Sequence, residues 1–231
     1  MYIYGKKVAE EAIKNNENIQ KCYLCNNFND QNIISAIQKR QICTVFKTKM
    51  ELDQLVNGNH QGIILVVPDY KYSDLDELLV KDEPLLIMLD HIEDPHNLGA
   101  IIRTSEAAGV DGIIIPKDRG ASINSTVSKV SAGALSSIRV SMVTNLSRTI
   151  DYLKEKGFWI IGTDMKGENY YDLDYKGKTC IVIGNEGSGL SNLVARKCDF
   201  MASIPMKGTI NSLNASVATG IVVFEASKQR I

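Results

Sequence analysis

At 231 residues, with 44% hydrophobic and 23% charged side chains, the chain has the make-up of a globular protein of one or two domains with a real core. No apolar run nears the roughly 20 residues that a bilayer span needs, and the start MYIYGKKVAEEAIK lacks the apolar centre of a signal peptide, so a cytoplasmic protein is expected. The net charge of −1 makes no global electrostatic case for nucleic acid, although residues 1–72 hold nine Lys/Arg against seven Asp/Glu and the remainder seventeen against twenty. Five cysteines, an odd number, do not suggest a disulfide framework. Cys22 and Cys25 form a CxxC inside an apolar run with no second ligand pair at zinc spacing, so no metal site is expected.

In chain order, Val8, Ala9, Ala12 and Ile13 make a short helical stripe. Residues 19–25 read as a strand, 30–39 as a helix, 42–46 as a strand, 48–55 as a helix capped by Thr48, and 62–67 as an apolar strand closed by Pro68. These pieces predict a small α/β domain over residues 1–70, followed by a charged linker over 71–84. From residue 85 the strands become almost wholly apolar: 85–89, 112–115, 158–161, 180–183 and 201–204. Such strands separated by helices predict a parallel sheet covered on both faces, over residues 85–231. One helix is expected from Leu98, Ile101, Ile102, Ser105 and Ala108, with Asn97 as cap and Gly109 as stop. Another is marked by Leu146, Ile150 and Leu153 and ended by Gly157. A last one is marked by Leu213, Val217, Ile221 and Phe224, with Asn211 or Ser212 as cap.

Three polar loops follow apolar strands, where open α/β sheets collect ligands. The first runs from Asp90 through Asp94-Pro95-His96-Asn97 towards Arg103 and Glu106. Arg103 is either a surface arginine paired with Glu106 at i+3 or a guanidinium that grips a phosphate. The second, Gly184-Asn185-Glu186-Gly187-Ser188-Gly189, matches neither GxGxxG nor GxxxxGK[ST], and Glu186 argues against a phosphate cradle. The third runs from Ile204-Pro205-Met206 to Ser212-Leu213-Asn214.

Together these loops resemble, in order and spacing, the three motifs of the SpoU/TrmH branch of the SPOUT RNA methyltransferases. Residues 1–70, with His60-Gln61-Gly62 before the last strand, are similar to that family's L30e-like RNA-binding extension, and the bacterial 23S rRNA guanosine 2′-O-methyltransferases are the most similar group. The resemblance implies methyl transfer from S-adenosyl-L-methionine to a ribose 2′-hydroxyl, a trefoil-knotted C-terminal segment over roughly Lys178 to Ile231, no metal, and a homodimer. It places Thr163, Gly184, Ile204, Met206 and Leu213 around the cofactor, and gives Asn97, Arg103, Glu186, Ser212 and Asn214 as catalytic motif residues. Lys6, Lys7, Lys14, Lys39 and Arg40 are the candidates for phosphate contacts. A tRNA or resistance-type rRNA methyltransferase and a non-catalytic RNA-binding assembly factor are the alternatives; the intact motifs speak against the last.

Overall fold

The computed structural model describes residues 1–209 and 212–230. The chain divides into two compact units, Met1–Lys71 with Ile123–Lys129, and Tyr72–Ser122 with the residues from Val130 on.

The first unit contains β1 (Tyr2–Tyr4), α1 (Lys6–Lys14), β2 (Lys21–Cys25), α2 (Gln31–Lys39), β3 (Thr44–Lys47), α3 (Lys49–Leu55) and β4 (Ile63–Val66). The strand order is β1-β4-β2-β3, with β4 antiparallel to both neighbours and β2 parallel to β3. Alternation along the strands sorts side chains between the two faces. Ile3, Cys22, Leu24, Ile63 and Leu65 meet Val8, Ala12, Ile33 and Ile37 of α1 and α2, while Ile64 and Cys25 meet Leu52 of α3. Thr48 caps α3 in a reciprocal box with Glu51, whose carboxylate these bonds pull down to about 2. Strand β1 escapes a sequence reading because Tyr-Ile-Tyr offers only three residues of alternation. Cys22 and Cys25 are buried free thiols, and desolvation pushes Cys22 up to about 12.

In the second unit a 3-10 turn (Leu75–Leu78) precedes β5 (Leu85–Leu89), α4 (Pro95–Ala107) and β6 (Gly112–Pro116). Helix α5 (Ser125–Val130), which falls almost wholly in the first unit, interrupts this one, and a second 3-10 turn (Ala134–Ser136) leads to β7 (Arg139–Val143) and α6 (Leu146–Glu155). Then come β8 (Trp159–Asn169), β9 (Thr179–Ile183), α7 (Asn192–Ala195), β10 (Phe200–Ser203) and α8 (Ala215–Gln229). The sheet order is β10-β8-β9-β5-β6-β7, parallel throughout. Leu86, Met88, Ile114, Ile160, Cys180 and Val182 pack against α6 and the first 3-10 turn. The alternate residues Ile87, Ile113, Ile115, Ile181 and Ile183 are equally buried on the opposite face, and α4 packs along α8. The predicted α/β class, with a parallel-sheet domain after a smaller α/β domain, is the fold observed. Among the described residues no helix is long and apolar enough to cross a membrane.

Three local expectations are corrected. Helix α4 is capped by Asp94, whose carboxylate accepts from His96 N at 2.9 Å, with Pro95 at the first helical position; Asn97 is already inside the first turn. Helix α8 is capped by Asn214, which accepts from Ser216 N and Val217 N at 3.0 and 3.4 Å. Ser212 is therefore not the cap, and Asn211 lies outside the described residues. The buried stripe of α8 is Ala215, Thr219, Val222, Val223 and Ala226, and the apolar series through Val217 and Phe224 faces outward. Finally, residues 75–79 are no free linker: Leu78 is 1% exposed and sits in the second unit's core with Leu75 and Leu79 against it. A Cβ on Gly112 would come within 2.6 Å of Leu78 Cδ2, so the glycine makes room for this plug.

Candidate active site

The centre of the sheet holds the point where the order of strand addition reverses: β5 is flanked by β6 on one side and β9 on the other. The loops leaving β5 and β9 therefore lie side by side, and hydrogen bonds tie them together. Asp90 N donates to Ile183 O at 2.8 Å. The fully buried Asp90 carboxylate accepts from Ser191 N at 2.6 Å, closing the far end of the glycine loop. His91, at φ 61°, brings Nδ1 to 2.5 Å from the other Asp90 oxygen, off the angle of a hydrogen bond. Asn185 Nδ2 donates to His91 O at 3.0 Å, and its Oδ1 accepts from Gly187 N and Ser188 N. The loop also closes on itself, Asn185 and Gly189 exchanging backbone bonds of 3.0 and 2.8 Å. A Cβ on Gly184 would fall 2.6 Å from Leu190 N and closer still to the Gly189 carbonyl carbon, so only glycine fits.

That loop presents Glu186. Its Oε1 accepts from Asn97 Nδ2 at 2.9 Å, Asn214 Nδ2 at 2.5 Å and Ala215 N at 3.0 Å. Asn214 Nδ2 also donates to Asn97 Oδ1 at 2.9 Å. Three of the predicted motif residues thus form one triangle that joins the start of α4, the β9 loop and the start of α8. A carboxylate at two helix N-termini is well placed electrostatically. Its Oε1 is committed to three donors, which suits holding the loops in register better than carrying a proton.

The other predicted residues are distributed as follows. Arg103 lies six residues beyond Asn97 on α4 and is exposed. Among the described residues its guanidinium makes no hydrogen bond or ion pair, so the alternative pairing with Glu106 does not form. Ser212 is exposed with no bond among the described residues. Thr163 donates its hydroxyl to Val182 O at 3.1 Å, at the point where β8 leaves the β10 ladder and the register jumps from Met201↔Gly162 to Ala202↔Glu168. Gly184 follows β9 directly, and Ile204 and Met206 follow β10 directly. Gly184, Ile204 and Met206 thus lie at the C-terminal ends of β9 and β10, and Thr163 lies within the intervening β8, just past its last pair with β9 at Gly162↔Val182. Leu213, half-buried, precedes α8. In the first unit Lys7, Lys14 and Lys39 are exposed, and Lys6 pairs with Asp30 at 3.4 Å. Arg40 is otherwise engaged: its guanidinium donates to Ala12 O, Ile13 O and Glu17 O at 3.5, 3.1 and 2.6 Å. It ties the C-terminal end of α1 and is spent as a phosphate ligand.

Sequence reasoning missed Asp90 and Asn185 as organisers. Their signal is present: an acid ending an apolar strand, and an Asn two residues before a glycine, the mark of an Asx turn.

The sequence profile of the SpoU rRNA Methylase family matches residues 84–224, which hold all three loops, and that of RNA 2'-O ribose methyltransferase substrate binding matches residues 2–73. The chain belongs to the SpoU rRNA methylase family. It is thus an RNA methyltransferase. A Bacillus subtilis protein named as a TrmH family tRNA/rRNA methyltransferase is 40% identical to this SpoU chain over 99% of it and 96% of the relative. The crystal structure of the SpoU methyltransferase AviRb from Streptomyces viridochromogenes in complex with AdoMet matches 100% of the chain and 90% of its own length, with TM-score 0.81 and 25% identity. The A. aeolicus TrmH/SpoU tRNA modifying enzyme matches 67% of this SpoU chain and 79% of its own, with TM-score 0.60 and 33% identity.

Proposed function

We propose that the protein transfers the methyl group of S-adenosyl-L-methionine to the 2′-hydroxyl of a guanosine ribose in 23S rRNA, as a cytoplasmic homodimer. The Asn97–Glu186–Asn214 triangle is the observation that carries the reading, because it draws three sequence-distant loops into one framework at the strand ends. Against a tRNA substrate stands the first unit, which matches a substrate-binding profile over residues 2–73, while the tRNA modifying enzyme above matches only 67% of the chain. Val217 and Phe224, about half exposed at 51% and 52% on α8, support a second copy packing there.

The donor set fits the cofactor. Close backbone at Gly184 and the partly exposed apolar side chains of Ile204, Met206 and Leu213 suit an adenine held by main-chain bonds between apolar walls. When bound, S-adenosylmethionine supplies an electrophilic sulfonium methyl. The chain's own work is to align the ribose hydroxyl with that methyl and ease the loss of its proton. The exposed Arg103 guanidinium clamps a substrate phosphate bidentately and stabilises the alkoxide as it develops. As a permanent cation it cannot itself take the proton, which passes to a phosphate oxygen or water. Asn97, Glu186 and Asn214 hold the loops in register around the reacting groups, and Ser212, exposed two residues before Asn214, adds a hydroxyl for the substrate.

Incubation with labelled S-adenosylmethionine and either total rRNA or total tRNA from a strain lacking the protein tests this directly. Label on one 23S guanosine ribose is expected. Label confined to tRNA, or none on either RNA with folded protein, overturns the proposal.

A further inference from the structure

The first unit carries a concave feature, a cleft of about 480 Å³ bounded by Lys6, Asn27, Phe28, Asn29, Lys49 and Gln61 among others. This is within the size range of small-ligand sites. Its frame is rigid. His60 is 4% exposed; its Nδ1 accepts from Gly62 N at 3.0 Å and its Nε2 therefore carries the proton shared with Asp53 Oδ1 at 2.9 Å. Gly62, at φ 83°, is where a Cβ would press to 3.0 Å from Phe28 Cδ2, so the glycine lets the aromatic ring lie against the backbone. Gln61 itself adopts φ 52°, and its Oε1 accepts from Lys6 N at 2.8 Å. These bonds fix the loop that forms one wall.

What the cleft offers is a set of uncommitted polar groups. Among the described residues the Lys49 ammonium and the side-chain amides of Asn27 and Asn29 have no partner. Asn59 and Gln61 each use only their oxygen, towards Gln61 N and Lys6 N, which leaves both amide NH₂ groups free. The two carboxylates nearby are already engaged, Asp53 by His60 and Asp30 by Lys6 and by Ile33 N. Lys6 Nζ stands 5.3 Å from the Phe28 ring centroid. One free cation, a second beside an aromatic ring, and amides able to donate and accept match the parts of a nucleotide: phosphate, base face and base edge. Unpaired RNA bases are recognised by such combinations of stacking, edge bonding and backbone charge.

We propose that this cleft binds one unpaired nucleotide of the RNA substrate, away from the methyl-transfer loops. The inference rests on the reading that the substrate is RNA. Lys49→Glu is a clean probe, because an acidic residue at the first position of α3 favours that helix, so lost binding is not lost folding. Asn27→Ala and Asn29→Ala alter exposed side chains only. Binding is read by fluorescence anisotropy on a labelled single-stranded RNA oligonucleotide and on 23S rRNA fragments across a salt series. Uptake of S-adenosylmethionine is followed by calorimetry on the same samples. Lys49→Glu combined with Asn29→Ala is expected to weaken RNA binding about tenfold and to reduce the salt slope by about 0.7, since one phosphate is no longer neutralised, with cofactor uptake unchanged. Unchanged RNA affinity and salt slope overturn the cleft, whatever the enzyme does with cofactor. Weakened RNA binding by these variants, alongside a wild type that takes up no S-adenosylmethionine, leaves the cleft standing and removes the methyltransferase reading instead.

Discussion

Asn214 and Asn97, 117 residues apart in sequence, share a 2.9 Å hydrogen bond from Nδ2 to Oδ1, and both donate to the same Glu186 oxygen. One carboxylate therefore sets the distance between the starts of α4 and α8. Glu186→Ala removes all three bonds to that oxygen, among them the one from Ala215 N. Because the side chain is exposed, stability is expected to fall by only about 1 kcal/mol, whereas kcat/KM for methyl transfer is expected to fall about 10²-fold through loss of alignment. Thermal melting beside single-turnover kinetics checks the split; a melting-point collapse matching the lost activity contradicts it.

Arg103 has no internal partner to occupy it among the described residues. Arg103→Lys keeps the charge but loses the planar fork, and turnover is expected to drop by about 10²-fold or more with calorimetric uptake of S-adenosylmethionine unaltered. Near-full turnover in this variant excludes a bidentate clamp.

Gly184→Ala forces a Cβ to within 2.6 Å of Leu190 N, against backbone that cannot step aside. A stability loss of about 1–3 kcal/mol is expected, together with weakened cofactor uptake. A wild-type calorimetric titration from Gly184→Ala shows that the loop is not part of the cofactor cradle.

Arg40 serves the first unit's architecture. Replacement by Ala leaves three carbonyls at the end of α1 without their cation and is expected to cost about 2 kcal/mol. The salt dependence of RNA binding by the folded fraction, measured by anisotropy, is expected to stay that of the wild type.

Burial pushes the thiols of Cys22 and Cys198 up to about 12. A thiol whose folded value lies above its unfolded value of ~8.5 holds its proton more tightly when folded. The stability this contributes is complete below ~8.5 and is lost as the pH rises from there through about 12. Denaturant midpoints are thus expected to fall steadily above pH ~9, and Cys22→Ala with Cys198→Ala to flatten that alkaline limb. At neutral pH, exposed Cys43 is expected to be the thiol that alkylates first.

The parallel sheet was legible because strands buried on both faces read as unbroken apolar runs, as in Leu85–Leu89 and Thr179–Ile183. Helix starts were less so. Asp94 and Asn214 each neighbour another good capping residue, and only the hydrogen bonds decide between them. The triangle was invisible to any local pattern, since its members meet across 28 to 117 positions of sequence. Spacing identified Asn97, Glu186 and Asn214 as notable residues through their resemblance to family motifs, without telling which touches which. Arg40 misled because a cation near a helix end reads the same whether it meets carbonyls or phosphates.

The Leu78 plug over Gly112 bears on how this molecule can be dissected. Anyone isolating the catalytic half by cutting at the first long strand would strip away a side chain of about 2 kcal/mol burial value and leave a leucine-sized hole beside β6. The excised piece would melt early for a reason unrelated to its missing neighbour. A cut made ahead of Asp74 keeps the stopper in its socket.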